Sequence, residues 1–250
     1  MQSKAVLVCK MLSKLEAVLV WGRKMQSKAV PVCVVLLRGW LTLDQQIEFV
    51  ANIRELGMGN GGFYTPSYGD GARLSLQMMC LGKHWDPRSG KYEEVRTQYD
   101  GAAPPPMPLL FLQTAQAALG AAREADQQAG KGSMPDMRPE ICLVNFYPPS
   151  GKLGMHQDKS ESARSLQRGA PVLSLSIGDS ADFHYSMDSR EDMRARVVLE
   201  SGDLLVFGGP ARLLYHGVPT IHPKTAPPAL VTRTGLRPGR LNLTFREFKD

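Results

Sequence analysis

Residues 154–161 read GMHQDKSE and set His156 and Asp158 two positions apart, directly after an apolar run broken by Pro and Gly. Alternate side chains of a β-strand share a face, so an imidazole and a carboxylate would leave one strand edge together. With five histidines and 24 acidic residues in a chain of 250, about half such a pair arises by chance, and the pair needs company before it signifies a metal. His216, in RLLYHG behind the tight turn of FGGPAR, supplies a third ligand. Two imidazoles and one carboxylate on one face of an iron leave three positions open for a cosubstrate and oxygen, the facial triad of non-haem Fe(II) oxygenases. His84, His184 and His222 lack a partner at such spacing and read as surface or half-buried histidines.

A second pattern is RLNLTFREF, in which Leu241, Leu243 and Phe245 share one strand face and Arg240, Asn242, Thr244 and Arg246 the other. Standing alone, such a polar face reads as exposed. Lining a barrel mouth, two guanidiniums suit a dicarboxylate, because each can grip one carboxylate bidentately. Six residues at ~3.3 Å separate the two backbones by about 20 Å, so both arms would have to fold inward. A hydrolytic zinc site would have no need of the paired arginines.

The elements that must position these groups are legible in the spacing. Thr42 with Gln45 three residues on makes a capping box for a helix over TLDQQIEFVANIREL, with Ile47, Val50 and Ile53 at helical spacing and an end at Gly57. A second helix covers much of PLLFLQTAQAALGAAREADQQAG. Between them, from Gly57 to about Pro106, lies a Gly-rich, aromatic-bearing segment irregular enough to form a lid. From Glu140 onward seven short runs, ICLVNFY, PVLSLSIG, ADFHYS, RVVLE, DLLVFGG, RLLYHGV and RLNLTFREF, alternate with turn residues, which argues for an antiparallel sandwich or jelly-roll barrel covered on one sheet by the N-terminal helices.

A chain of this length with 43% hydrophobic residues can bury one sizeable core. Its longest apolar run stops at Arg38, short of the ~20 residues that span a bilayer. Cys9, Cys33, Cys80 and Cys142 form no CxxC, which argues against a zinc knuckle or a disulfide framework and fits a reducing compartment. The net charge of +6 lies entirely in residues 1–40, where seven Lys and Arg face only Glu16. The remainder is balanced, so phosphate affinity there must come from a local patch. The leader holds a duplication, MQSKAVLVC at 1–9 and MQSKAVPVC at 25–33, too short and too few for a solenoid. It reads as a tandem duplication, a start-site ambiguity at Met25, or a basic organelle-targeting segment. The expected organisation is a leader over 1–38 and one domain over 39–250, with the lid at 57–106 and the barrel core at 140–250.

The segments NFYPPSGKLGMHQDK, PVLSLSIG, ESGDLLVFGGPARLLYHGV and LRPGRLNLTFRE resemble the AlkB family of Fe(II)- and 2-oxoglutarate-dependent nucleic-acid demethylases, nearest its plant and algal homologue-one branch, over most of residues 36–250. The resemblance implies an α+β, mainly β fold, a double-stranded β-helix or jelly-roll barrel with N-terminal covering helices and a nucleotide-recognition lid. It implies iron ligands His156, Asp158 and His216, and a 2-oxoglutarate site of Asn145, Tyr147, Arg240, Asn242 and Arg246, with O2 as the other cosubstrate. In the lid, HWDPRSGKY carries the family's base-stacking Trp and a following Tyr as Trp85 and Tyr92, and Arg190 and Phe207 match positions near the substrate pocket. Phe207 replaces an indole of the bacterial protein, and Ser160 stands where the family pattern has an acid that helps recognise the damaged base. Glu161 would face the opposite side of an extended segment. The implied partner is methylated single-stranded DNA or RNA, with Lys152, Lys159, Arg164 and Arg168 as a phosphate-binding rim and the protein a monomer. The expected compartment is cytoplasm or nucleus, or an organelle if the leader targets. A protein hydroxylase on the same barrel and a non-catalytic nucleic-acid reader are the rival readings. The reader has no use for the triad and the arginines.

Overall fold

In the computed structural model, which describes residues 17–19, 33–130, 134–187 and 195–248, the barrel begins earlier than the charge distribution suggests. The elements are Ala17–Leu19 (β1), Cys33–Leu37 (β2), Leu43–Met58 (α1), Gln77–Leu81 (β3), His84–Asp86 (β4), Lys91–Glu93 (β5), Leu109–Gln128 (α2), Ile141–Tyr147 (β6), Leu153–His156 (β7), Ala163–Arg168 (α3), Val172–Gly178 (β8), Ser180–Ser186 (β9), Ala195–Leu199 (β10), Leu204–Gly208 (β11), Tyr215–His222 (β12), Pro228–Thr234 (α4) and Arg240–Arg246 (β13). Seven strands form a major sheet in the order β1-β2-β11-β8-β13-β6-β3, four a minor sheet in the order β10-β9-β12-β7, and β4 and β5 a separate hairpin. Every pairing in these sheets is antiparallel. The result is the expected jelly-roll, mainly β with a few covering helices.

From β2 to β3 the major sheet is buried on both faces. Leu241, Leu243 and Phe245 of β13 join Phe49 of α1 and Phe111 of α2 in the core beneath the helices, where Phe49 and Phe111 stack with ring centroids 4.5 Å apart. A second core, with Leu143, Tyr147, Phe183 and Phe207, fills the space between the two sheets. Thr42 and Gln45 form the anticipated capping box, with the Thr42 hydroxyl accepting from Gln45 N and the Gln45 side chain accepting from Thr42 N. The helix runs one residue past Gly57, to Met58.

Two boundaries differ from the sequence reading. Residues 33–37, assigned to the leader, form β2, a wholly buried strand paired with β11. Cys33, Val35 and Leu37 enter the core under the helices, and Val34 and Leu36 enter the one between the sheets. A strand buried on both faces reads as a continuous apolar run without the period-two alternation that marks a half-exposed strand. The duplicated segment, apart from Cys33, lies outside the described residues. The second difference is within 57–106, where Gln77–Leu81 is the edge strand of the major sheet, paired with β6, and therefore scaffold rather than lid. The run RLLYHGV also begins its strand late, at Tyr215, because a 3-10 turn over Gly209–Ala211 precedes it.

Candidate active site

β7 and β12 pair so that His156 stands directly across from His216. The two backbones approach closely, for a Cβ on Gly217 would fall 2.9 Å from the Leu153 carbonyl oxygen. β7 ends at His156, and Asp158 follows in the next segment, off the strand. Strand alternation therefore does not bring it to the imidazoles. Two arginines from distant elements do. Arg246 of β13 pairs with Asp158 Oδ1 at 2.7 Å, and Arg212 donates to the Asp158 backbone carbonyl at 2.5 Å.

Each imidazole sets its Nδ1 against a backbone carbonyl, His156 on Gly154 at 2.9 Å and His216 on Leu214 at 3.3 Å. A proton held there leaves the Nε2 lone pair for a metal. Both Nε2 atoms lie 3.7 Å from Asp158 carboxylate oxygens, too far for a hydrogen bond. One ligand atom from each residue falls within 4.8 Å of the others, and no second group of this kind occurs among the described residues. Asp158 Oδ2 is buried with no hydrogen-bond partner. Burial alone would raise the Asp158 carboxyl, but Arg246, His216, His156 and Arg212 hold it well below the usual carboxylate range. Burial, reinforced by His156, pushes His216 down to about 3. The Phe183 and Phe207 rings lie 5.5 and 5.2 Å from the His216 ring, so they dry it. A carboxylate and a neutral imidazole are the protonation states a divalent cation requires.

The polar face of β13 points between the sheets and is buried, not exposed. Asn242 donates to Ser174 Oγ at 2.7 Å and to the Leu175 carbonyl at 3.1 Å, and it sits opposite Asn145 across the β13–β6 ladder. Arg240, 1% exposed, donates to Ser176 Oγ at 2.9 Å and lies 5.6 Å from the Tyr147 ring centroid. Its Nε and Nη1 find no acceptor, nor does Asn145 Oδ1 find a donor. Burial pushes the Tyr147 hydroxyl up to about 12, although Arg240 opposes it, so the phenol remains a hydrogen-bond donor. A buried guanidinium with idle donors beside a phenolic hydroxyl is a setting that a carboxylate completes.

The other arginine lies at the triad. Arg246 engages Asp158, Glu161 at 3.2 Å and the Tyr92 hydroxyl at 3.0 Å with its Nε left without an acceptor, while Arg240 lies apart beside Tyr147 and Ser176. Tyr92 also donates to Glu161 Oε1 at 2.9 Å, and Arg212 holds Glu161 Oε2 at 2.7 Å. Trp85 pairs with Tyr92 across the β4–β5 hairpin and donates its indole N–H to Ser160 Oγ at 3.0 Å. The hairpin is thus fastened to the segment just after the metal ligands. Glu161 and Arg212 are the residues that sequence reasoning undervalued. Neither belongs to a periodic pattern, and only their mutual burial, 7% and 2% exposed, marks them. Of the basic rim, Lys152, Lys159 and Arg164 are exposed, but Arg168 is bound by Glu247 and the Asp136 carbonyl. Arg190 lies outside the described residues.

A family model for the 2OG-Fe(II) oxygenase superfamily matches residues 33–246. The AlkB dioxygenase of Salmonella typhimurium is 35% identical over 236 residues, covering 91% of this chain and 93% of that protein. The chain belongs to the AlkB family of 2OG-Fe(II) oxygenases. A DNA N(6)-methyladenine demethylase of Arabidopsis thaliana, ALKBH1C, is 49% identical over 220 residues, covering 86% of this chain and 48% of the relative. The solved structure of OsALKBH1 superimposes with a TM-score of 0.81 at 49% identity, covering 88% of this chain and 99% of that one. The chain spans about half the length of the Arabidopsis relatives it matches. AlkB membership makes Fe(II), 2-oxoglutarate and O2 the reagents of this site. The residues fit them, since His156, Asp158 and His216 present free ligand atoms and Arg240 presents unused donors. No described helix is long and apolar enough to cross a membrane.

Proposed function

We propose that the protein is an Fe(II)- and 2-oxoglutarate-dependent dioxygenase that removes N-methyl groups from nucleobases in single-stranded DNA or RNA, acting as a monomer. The observation that carries this reading is the fastening of an aromatic hairpin, through Trp85–Ser160 and Tyr92–Glu161, directly over the segment that supplies the triad. When bound, Fe(II), 2-oxoglutarate and oxygen supply an oxidant that hydroxylates the N-methyl carbon, releasing succinate and carbon dioxide and, as the hydroxymethylamine collapses, formaldehyde. His156, Asp158 and His216 would hold the metal, and Asp158 is kept ionised for that task by Arg246. Arg240, Tyr147 and Asn242 line the buried polar face that would take 2-oxoglutarate, with Arg240 offering the charge-assisted donors. Arg246 supports this site through Asp158, and its Nε, buried without an acceptor, leaves it a donor for the cosubstrate as well. A methylated base inside a duplex cannot reach such a site, so it must be flipped or already unpaired, and Trp85 offers it a stacking face. The neutral charge of residues 41–250 leaves strand binding to local cations, of which Lys152, Lys159 and Arg164 are exposed.

The test is succinate and formaldehyde release with methylated single-stranded DNA, methylated RNA and methylated peptide in parallel. Both products should appear in step with a nucleic acid and not with the peptide. Coupling to the peptide alone would favour the protein hydroxylase. Trp85→Ala should lose about 1–3 kcal/mol of oligonucleotide binding, the value of one base–aromatic contact, while Trp85→Phe keeps most of it.

A further inference from the structure

The segment PSYGDGARLS, residues 66–75, lies in the lid region but apart from the β4–β5 hairpin. Ser67 pairs with Arg73, and Tyr68 N–H donates to the Ala72 carbonyl at 2.8 Å, which folds residues 67–73 into a tight loop. Ser75 then bridges Lys152 and seats the loop beside β7. Between this loop and the minor sheet is a cavity of about 500 Å³, walled by Tyr68, Arg73, Lys152, Met155, His184 and Pro219. That volume falls in the roughly 300–1,000 Å³ range of small-ligand sites. The floor is open at Gly154, where a Cβ would meet no atom within 4 Å. Gly154 and Met155 run straight into His156, and Gly217, also in the wall, follows His216. The cavity thus shares two strands with the triad.

The lining suits one unit of a single strand. Tyr68, 43% exposed, offers a stacking face for a base. Arg73 and Lys152 are exposed cations whose side chains have no partner among the described residues. No carboxylate lines the cavity, and Asp182, two positions before His184 on β9, is held by Arg196 and His222. An aromatic face beside unpaired cations takes a base and a phosphate together, whereas a small dicarboxylate would leave the ring unused. A strand with one base at His156 has its next base and phosphate within one nucleotide of Met155 and Gly154. We propose that this cavity is a second nucleotide site, which holds the unmodified neighbour of the methylated nucleotide with its base on Tyr68 and its phosphate on Arg73 and Lys152. This inference rests on the demethylase reading above and adds to it the path of the strand.

The experiment uses the full chain and single-stranded oligonucleotides of one sequence around one methylated adenine, either intact or abasic at the neighbouring position on the 5′ or the 3′ side. Each is made with N6-methyladenine and with 1-methyladenine. Binding to metal-free protein is read by fluorescence anisotropy, and demethylation with Fe(II) and 2-oxoglutarate by mass spectrometry. Removing the neighbouring base on one side should weaken binding to the parent about five- to a hundredfold, the value of one base–aromatic contact, and removing it on the other side should not. Tyr68→Ala should bind the intact strand as weakly as the parent binds the abasic one and no longer tell them apart, while Tyr68→Phe keeps the distinction. Because Tyr68 is exposed, both variants should melt with the parent. Arg73→Gln with Lys152→Gln should flatten the salt dependence, each lost phosphate contact lowering the slope of log K against log salt by about 0.7, with the apparent constant for 2-oxoglutarate unchanged. A parent indifferent to both abasic neighbours, or a Tyr68→Ala protein that keeps the parent's distinction, overturns the inference and leaves the demethylase standing. So does a raised 2-oxoglutarate constant in the double variant with oligonucleotide affinity intact, which would make the cavity a dicarboxylate site. If no methylated strand is bound or demethylated while 2-oxoglutarate is consumed with a peptide, the demethylase reading falls and takes the inference with it.

Discussion

At Asp158 the two carboxylate oxygens have separate neighbours, Oδ1 against Arg246 and Oδ2 without a partner and close to His216. Loss of the ligand and loss of the ion pair should therefore come apart. Half-buried His156→Ala should abolish the visible charge-transfer band formed anaerobically with Fe(II) and 2-oxoglutarate while shifting the melting temperature little. Asp158→Ala should abolish the same band and cost about 3 kcal/mol in addition, because it strands the buried Arg246, with Glu161 softening the loss. The arginines should divide in a second way. Arg240→Met removes a buried cation whose Nε and Nη1 are idle and whose side chain bonds only Ser176 among the described residues, so it should leave the 2-oxoglutarate-free protein about as stable. It should also raise the apparent constant for 2-oxoglutarate by one to two decades and abolish the thermal shift that cosubstrate gives the parent. Arg246→Met should instead destabilise the protein in denaturant melts, whether or not 2-oxoglutarate is present, since it uncovers Asp158 and Glu161. A third test is of pH. His84 is fully buried with neither ring nitrogen bonded, and burial lowers it from 6.5 to about 4. The unfolded chain then takes up a proton that the folded one refuses, so its contribution is complete above pH 6.5 and is lost as pH falls toward 4. The loss is up to about 3 kcal/mol, and His84→Phe should flatten that acid limb of the melting curve.

Among the elements, β2 and the β4–β5 hairpin decide how the site is built. β2 inserts five buried side chains between β1 and β11. A protein cut just after Leu37 should accordingly lose its cooperative thermal transition, because both cores lose residues and β11 loses a ladder partner. One cut just before Cys33 should keep that transition, which circular dichroism would reveal. The hairpin's aromatic pair, Trp85 and Tyr92, was legible only through the likeness of HWDPRSGKY to the AlkB lid. What it touches was not, because Ser160, Glu161 and Arg246 are 75, 69 and 154 residues away from their hairpin partners. β13 shows the same division. Its alternation assigned the two faces correctly, but only the minor sheet packed above makes the polar one an interior.

For the whole molecule, charge and burial are segregated along the chain. Six Lys and Arg lie in residues 1–32, while residues 41–250 are balanced. Cutting before Cys33 should thus reduce non-specific binding to DNA and flatten its dependence on salt, with each lost phosphate contact lowering the slope of log K against log salt by about 0.7–0.9. An unchanged slope in a binding titration would place the phosphate contacts on the barrel. The amino-acid sequence by itself determined the His156 and Asp158 pair, the capped helix α1, the strand runs after residue 140 and the likeness to AlkB proteins, because each is a matter of residue type at short spacing or of a run of matching residues. Tertiary structure alone decided that β2 and β3 are scaffold, that Asp158 is held by Arg246 and Arg212, and that Glu161 is spent on three partners. The physical reason is common to all of these. A strand covered on both faces loses its period, and a buried charge is defined by the counter-charge that neutralises it, which the fold brings from a distant part of the chain.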